Sequence, residues 1–69
     1  MRIQNIKWNG KEWVAFRVFQ PMETGEAFKL KRDAIEYAKY ELPNFIHVFD
    51  KQDNQIYTLE RNGYKYKKL

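Results

Sequence analysis

The dipeptide Asn9-Gly10 constrains the fold of this chain more than any other feature of its sequence. Asn and Gly both accept the left-handed backbone that a tight hairpin turn requires. The segments on either side, Met1–Trp8 and Lys11–Phe19, are rich in β-branched and aromatic residues, which favour strands. The pattern therefore predicts a β-hairpin at the start of the chain, with Ile6 opposite Trp13 if the turn has two residues.

The rest of the sequence predicts one helix followed by two or three strands. Apolar residues recur at helical spacing over Lys31–Leu42, and Pro43 ends this helix. Strand-like segments follow at Phe45–Asp50 and Gln55–Arg61, and Asn62-Gly63 predicts a tight turn into a short last strand.

These elements fit one small domain over residues 1–69, because a chain of this length has room for a single core. We expect an α+β fold, in which an antiparallel sheet of four or five strands (ββαββ or ββαβββ) carries one helix on one face. The turn lengths predict Ile46 opposite Leu59, Val48 opposite Tyr57, and Tyr66 also opposite Leu59.

One helix covers only one face of such a sheet, so the second face needs an occupant of its own. We expect the helix to cover an aliphatic and aromatic set: Ile3, Val14, Phe16, Val18, Ile46, Val48 and Leu59. The second face then carries Trp8, Trp13, Phe19, Phe45, Phe49 and Ile56. Monomeric proteins rarely leave so large an apolar patch in water. The expected partner-binding residues are therefore Trp8, Trp13, Phe19, Phe45 and Phe49.

The net charge of +4 equals the number of basic residues after position 60. Aromatic rings with lysines beside them suit single-stranded nucleic acid, because bases stack on rings and lysine neutralises phosphate. The candidate nucleic-acid residues are Phe45, His47, Phe49, Arg61, Lys65, Lys67 and Lys68. The same aromatic residues can instead form the core of a protein interface, with the lysines at its solvated rim. Both interpretations stay open.

Catalysis has little support in the residue inventory. The chain has no Cys and one His, and it contains no Gly-rich phosphate loop and no metal-ligand spacing. Asp50 and Asp53 flank a predicted turn, and turn chemistry accounts for them without a cation. We therefore expect no enzyme activity, no cofactor and no metal site. For His47 we expect a half-buried strand residue, with a pH-sensitive role at a binding surface as the alternative.

Three segments carry a resemblance to known domains: Trp13-Val14-Ala15, Asp33-Ala34-Ile35-Glu36-Tyr37-Ala38-Lys39 and Ile46-His47-Val48-Phe49-Asp50-Lys51. In this order, with Phe28 and Gln55-Ile56, they resemble small uncharacterised ββαββ domains of bacteria and their phages. The sequence departs from that pattern at Leu30, where the family has Ser or Thr, and at Asn54, where it has Gly. The order of elements is also similar to that of a small phage inhibitor of host RNA polymerase. Both resemblances imply a fold and no activity.

These observations lead to two functional expectations. The first is a non-enzymatic protein-binding module, encoded by a phage or mobile element, that acts on a host protein or as a homodimer. The alternative is a single-stranded nucleic-acid-binding protein that uses the aromatic and lysine face of its sheet. Mean hydropathy is −0.84 and no long apolar run occurs, so we expect a cytoplasmic protein with no membrane partner and no signal peptide.

Overall fold

A parallel pair of strands joins two antiparallel halves of one sheet. The computed structural model describes residues 1–69. The strands are β1 (Ile3–Trp8), β2 (Trp13–Arg17), β3 (Glu26–Phe28), β4 (Phe45–Phe49), β5 (Gln55–Asn62) and β6 (Lys65–Lys68), and the helix α1 spans Lys31–Tyr40. The order in the sheet is β3-β2-β1-β4-β5-β6, with β1 parallel to β4 and every other pair antiparallel. The predicted α+β class with one helix is confirmed.

The predicted four or five antiparallel strands differ from the observed six-stranded mixed sheet in two respects. Glu26–Phe28 adds a strand at the edge of the sheet, where three residues are too few to show an alternating pattern. The chain then returns through α1, so β4 enters beside β1 and runs parallel to it. This connection follows the general rule that parallel strands need a long crossover, which here contains the helix.

The first hairpin forms as predicted, but its register is shifted by two residues. Trp8 lies opposite Trp13, so the loop between them has four residues instead of two. The Oδ1 atom of Asn9 accepts hydrogen bonds from the backbone N–H groups of Lys11 and Glu12, at 2.8 and 2.7 Å. These side-chain hydrogen bonds stabilise the four-residue loop and so favour it over the two-residue turn.

The hairpin of β5 and β6 is shifted in the same direction. Tyr66 lies opposite Arg61, not Leu59, and the two-residue loop that follows Asn62 begins with Gly63 at φ +70°. A shift of two residues leaves the shared faces unchanged, because side chains alternate with a period of two. The predicted pairing of β4 with β5 is confirmed at Ile46 opposite Leu59 and at Val48 opposite Tyr57.

The helix packs against the opposite face of the first hairpin from the one predicted. Its buried residues Ala34 and Ala38 form a core with side chains from three strands: Ile6, Trp13, Ala15, Ile46 and Val48. The prediction that α1 covers Ile3, Val14, Phe16 and Val18 is therefore wrong, whereas Ile46, Val48 and Leu59 do lie on the helix side. Ala15, Ala34 and Ala38 are small and buried in this core, so the helix can approach the sheet closely on this side.

The second face of β2 is also covered, by the segment that precedes β3. Val14 and Phe16 are buried there, and a 3-10 turn at Met22–Thr24 contacts the strand. A Cβ atom added at Gly25 would overlap the carbonyl oxygen of Ala15 and lie 2.7 Å from the Cβ atom of Phe16. The chain can cross the strand this closely because residue 25 has no side chain.

The helix itself agrees with prediction to within two residues at its C-terminal end. Leu30 provides no side-chain cap, and its carbonyl accepts the backbone N–H groups of Asp33 and Ala34. No helix of the protein combines the length and the apolar run that are needed to cross a membrane.

Candidate interaction surfaces

The most exposed large apolar or aromatic side chains lie at one end of the sheet. At this end β1 and β4 begin and β2 and β5 finish, as shown by the strand registers and by backbone bonds that link Arg2 to Asn44 and Asn44 to Arg61. The helix α1 finishes there too, because Glu41 accepts a hydrogen bond from Gln4 of β1. Four side chains project from it: Met1 (85% exposed), Phe19 (91%), Tyr40 (86%) and Tyr64 (88%). We call these four residues the Phe19 end. No other large apolar side chain in the protein is as exposed.

An apolar notch of about 140 Å³ opens beside Phe19. Its apolar lining comes from Met1, Ile3, Val18 and Phe19. The backbone N–H of Val18 donates to the carbonyl of Ile3 (3.0 Å), which continues the β1–β2 ladder past Arg17 and fixes the geometry of this wall. The notch is therefore built on strand ends of the sheet.

The charged side chains around the notch are two arginines and one glutamate. Glu41 is already occupied: its Oε1 atom accepts a hydrogen bond from Gln4 Nε2 and lies 3.6 Å from Arg17 Nε. Arg2 has no carboxylate within salt-bridge distance, and its guanidinium donates only to the carbonyl oxygen of Leu42 (3.3 Å). The charged side chains around the notch therefore sum to a positive charge, and Arg2 is the arginine without a carboxylate partner.

Trp8 and Trp13, which the sequence analysis assigned to the partner-binding face, lie on the helix side. Trp13 is buried in the core and Trp8 is half-buried against it, with ring centroids 5.3 Å apart. Lys31 and Lys51 sit over the rings of Trp13 and Trp8, at 5.2 and 4.2 Å. The correction follows from the helix packing on the opposite face of the hairpin, and both rings are already occupied by contacts within the protein.

The open face of the sheet carries a row of rings on β4. Phe45, His47 and Phe49 alternate with the core residues of that strand and are each half-buried. Lys7 lies 4.4 Å from the ring centroid of Phe49 and 3.2 Å from the carboxylate of Asp53. One side of the Phe49 ring and the charge of Lys7 are therefore engaged within the protein.

The four cations of the last segment divide between the two faces. Lys65 and Lys67 lie on the open face, since they pair with Asn62 and Glu60 in β5. Arg61 and Lys68 lie on the helix side, where Lys68 sits 4.4 Å from the ring centroid of Tyr57. The structure thus brings together five of the seven candidate nucleic-acid residues: Phe45, His47, Phe49, Lys65 and Lys67.

A polar pair lies at the centre of the open face. Asn5 is the register partner of His47, and its Oδ1 atom is buried without a hydrogen-bond partner. Thr58 continues the row on the other side of His47. The centre of this face is therefore polar. The next register pair on the same face, Ile3 and Phe45, is apolar.

The turn between β4 and β5 is held by a carboxylate. The Oδ1 atom of Asp50 accepts the backbone N–H groups of Gln52 and Asn54, at 2.9 Å each. The hydrogen bond from the backbone of Asn54 lowers the pKa of Asp50 below its ordinary value. No three His, Cys, Asp or Glu side chains stand close enough together to hold a metal ion. These contacts give Asp50 a structural role in the turn.

Comparison with known proteins finds no family model, no curated protein and no solved structure that matches this chain. The resemblance to small ββαββ domains therefore stays a prediction.

Phe19 was expected from the sequence as a binding residue, whereas Tyr40, Tyr64 and Arg2 were not. Tyr64 follows the turn residue Gly63, and Tyr40 lies in the last turn of α1. Only the strand order brings these residues to one end together with Arg2. A sequence signal for this arrangement exists only in part, in the position of Tyr64 directly after the predicted Asn62-Gly63 turn.

Proposed function

We propose that the protein is a non-enzymatic protein-binding module and that the Phe19 end is its binding surface. The observation that carries the proposal is the gathering of Met1, Phe19, Tyr40 and Tyr64 at one end, each at least 85% exposed. Single exposed apolar residues are normal on protein surfaces, but their concentration in one region is typical of interaction sites.

The chemistry of these side chains supports the same function. Tyr, Phe and Met are enriched in protein interfaces. Aromatic side chains bury large areas with only two rotatable bonds. Phe19 and Tyr64 follow β2 and β5, which are three strand spacings or roughly 14 Å apart. That distance fits within one protein interface of standard size.

Selection from a displayed random-peptide library against the intact protein tests this function. We expect enriched peptides to bind Phe19→Ser roughly thirtyfold or more weakly than the native protein. Truncation of a central aromatic anchor at an interface hot spot costs about 2 kcal/mol or more, which corresponds to that loss. Ile56→Ser is the matched control, since it removes an exposed apolar side chain at the start of β5, away from the Phe19 end. Peptides that bind Phe19→Ser as well as the native protein would contradict the proposal.

Sedimentation equilibrium shows whether the partner is a second copy of the chain. If it is, the native protein associates with rising concentration and Phe19→Ser stays monomeric, while Ile56→Ser behaves as the native protein does. Self-association that Phe19→Ser leaves unchanged would place the interface elsewhere.

Single-stranded nucleic-acid binding is the second candidate, favoured by the placement of Phe45, His47, Phe49, Lys65 and Lys67 on one open face. Two features weaken it. Glu60 lies between Phe45 and Lys67 in the same row, and Lys7 is paired with Asp53. Little unpaired positive charge therefore lies beside the rings to bind the phosphates of a nucleic acid whose bases stack on them.

The salt dependence of binding to a short oligothymidylate tests this candidate. Each phosphate neutralised on a single strand contributes about 0.7 to the slope of log K against log salt. The open face offers Lys7, Lys65 and Lys67, so we expect a slope no steeper than about −2. Changing Lys65 and Lys67 together to Gln should flatten the slope, whereas Phe45→Ala should weaken binding at constant slope. Undetectable binding at low salt would reject the candidate.

A further inference from the structure

The notch at the Phe19 end has the size of a single aromatic or branched aliphatic side chain. Its volume is about 140 Å³. A buried apolar cavity of about 150 Å³ is large enough to bind benzene. The apolar walls of Ile3, Val18 and Phe19 would remove the apolar surface of such a side chain from water, which favours binding.

The rim of the notch adds a charge preference. Two guanidinium groups and one carboxylate line it, and the remaining lining side chains are uncharged. Glu41 is occupied by Gln4 and Arg17, which leaves the charge of Arg2 without a carboxylate partner.

The position of Arg2 is fixed by the backbone. Its N–H donates to Asn44 Oδ1 (2.9 Å) and its carbonyl accepts the N–H of Asn44 (2.8 Å), so the residue continues the β1–β4 ladder. These bonds fix the backbone of Arg2 at the rim, and its exposed guanidinium makes one hydrogen bond, to the carbonyl oxygen of Leu42. A planar donor of this kind suits a carboxylate.

We infer that the notch recognises an apolar side chain beside a carboxylate, as in an acidic and apolar segment of a partner protein. This inference rests on the proposed function and adds the chemistry of the partner. The apolar group fills the space between Ile3, Val18 and Phe19, and the carboxylate accepts hydrogen bonds from Arg2.

Two small probes of the same shape test the inference. Phenylacetate and phenylacetamide share a ring and differ in charge, and both are titrated into the isotope-labelled protein while its amide NMR shifts are followed. We expect phenylacetate to shift the amides of Ile3, Val18 and Phe19 and to bind about threefold more tightly than the amide, as exposed ion pairs do.

Two arginine variants separate specific from general charge effects. Arg2→Gln should remove the preference for phenylacetate, whereas Arg61→Gln, which changes an exposed arginine on β5, should keep it. The NMR spectrum also reports directly that each variant is folded. A preference that survives Arg2→Gln would overturn the inference.

The remaining outcomes distinguish this inference from the proposed function. Equal binding of both probes at the notch would overturn the charge preference and leave a neutral apolar binding site. Shifts from neither probe at the notch would overturn the inference as a whole, and the dependence of selected peptides on Phe19 would still decide the proposed function.

Discussion

Tyr66 is a single residue whose hydroxyl links the last strand to the end of the helix. It donates a hydrogen bond to the carbonyl oxygen of Pro43 (2.7 Å), and burial raises the pKa of the phenol above its ordinary value of 10.0. The neutral form is therefore the one that the fold favours. The stability that the neutral phenol contributes to the fold is complete below pH 10, and it is lost as the pH rises through the raised pKa of Tyr66.

We expect Tyr66→Phe to lower the free energy of unfolding at pH 7 by about 1 kcal/mol, the usual value of one hydrogen bond. The difference from the native protein should shrink near pH 11, where Tyr66 is mostly ionised in the unfolded chain. Denaturant unfolding at both pH values measures this, with the exposed Tyr64→Phe as control. An equal difference at both pH values would contradict the assignment.

Asp50 has the opposite pH dependence. Its lowered pKa means that the charged carboxylate is the form stabilised by the turn between β4 and β5. This contribution is present above about pH 4 and is lost as the pH falls through the lowered pKa. We expect Asp50→Ala to destabilise the protein at pH 7 and to differ less from the native protein at pH 2. Glu23→Ala, in the exposed 3-10 turn, is the control. A destabilisation that is independent of pH would show that the hydrogen bonds of Asp50 do not stabilise the turn.

Trp13 is a core residue because the helix packs on its side of the first hairpin. Trp13 packs with Ala34, Ala38 and Ile6 in the core. We expect Trp13→Ala to lower the free energy of unfolding by about 3–5 kcal/mol, as for other large core aromatics. Ile56→Ala, at an exposed position, should cost much less.

Circular dichroism of Trp13→Asp separates the two assignments of Trp13. Burial of a charge in this core should unfold the protein and remove the helical signal. If Trp13 lay on an outer partner-binding face, the helix would stay intact and only association would be lost. A folded Trp13→Asp variant would therefore contradict the packing of α1 on this side.

The sequence predicted those elements that local chemistry specifies. The spacing of Ala34, Ile35 and Ala38, with Pro43 after them, predicted the helix, and the two Asn-Gly dipeptides predicted both hairpins. The predicted registers of both hairpins differ from the observed ones by two residues. In the first hairpin, the Oδ1 atom of Asn9 stabilises a wider loop than the Asn-Gly dipeptide alone implies.

The choice of face was beyond a local pattern. Both faces of β2 are apolar, with Trp13 and Ala15 on one and Val14 and Phe16 on the other, and all four residues are buried. A period of two separates such faces but does not say which one meets the helix. That choice depends on the parallel pairing of β1 with β4, which joins segments far apart in sequence.

The same limit applied to the candidate surface. Phe19 was named from the sequence, because the alternation along its strand placed it on the second face of the sheet. Tyr40, Tyr64 and Arg2 were not, since only the strand order brings their segments to one end. Trp8 and Trp13 were assigned to the surface because their hairpin was turned over.

At the scale of the whole molecule, the two ends of the sheet differ in kind. At one end a lysine lies over each of the rings of Trp8, Trp13 and Phe49. The rings of Trp8 and Trp13 also contact each other. At the other end Phe19 and Tyr64 project into solvent beside an open notch. Aromatic area is therefore used for packing at one end and left free at the other, which is the basis of the proposed protein-binding surface.

An amide shift map of the labelled protein with a library-selected peptide shows whether a partner binds at the Phe19 end. We expect shifts that centre on Ile3, Val18, Phe19 and Tyr64 and that leave Phe45–Phe49 of β4 at their free positions. Shifts that centre on Phe45–Phe49 or on Trp8, with the Phe19 end unaffected, would contradict the proposed binding surface.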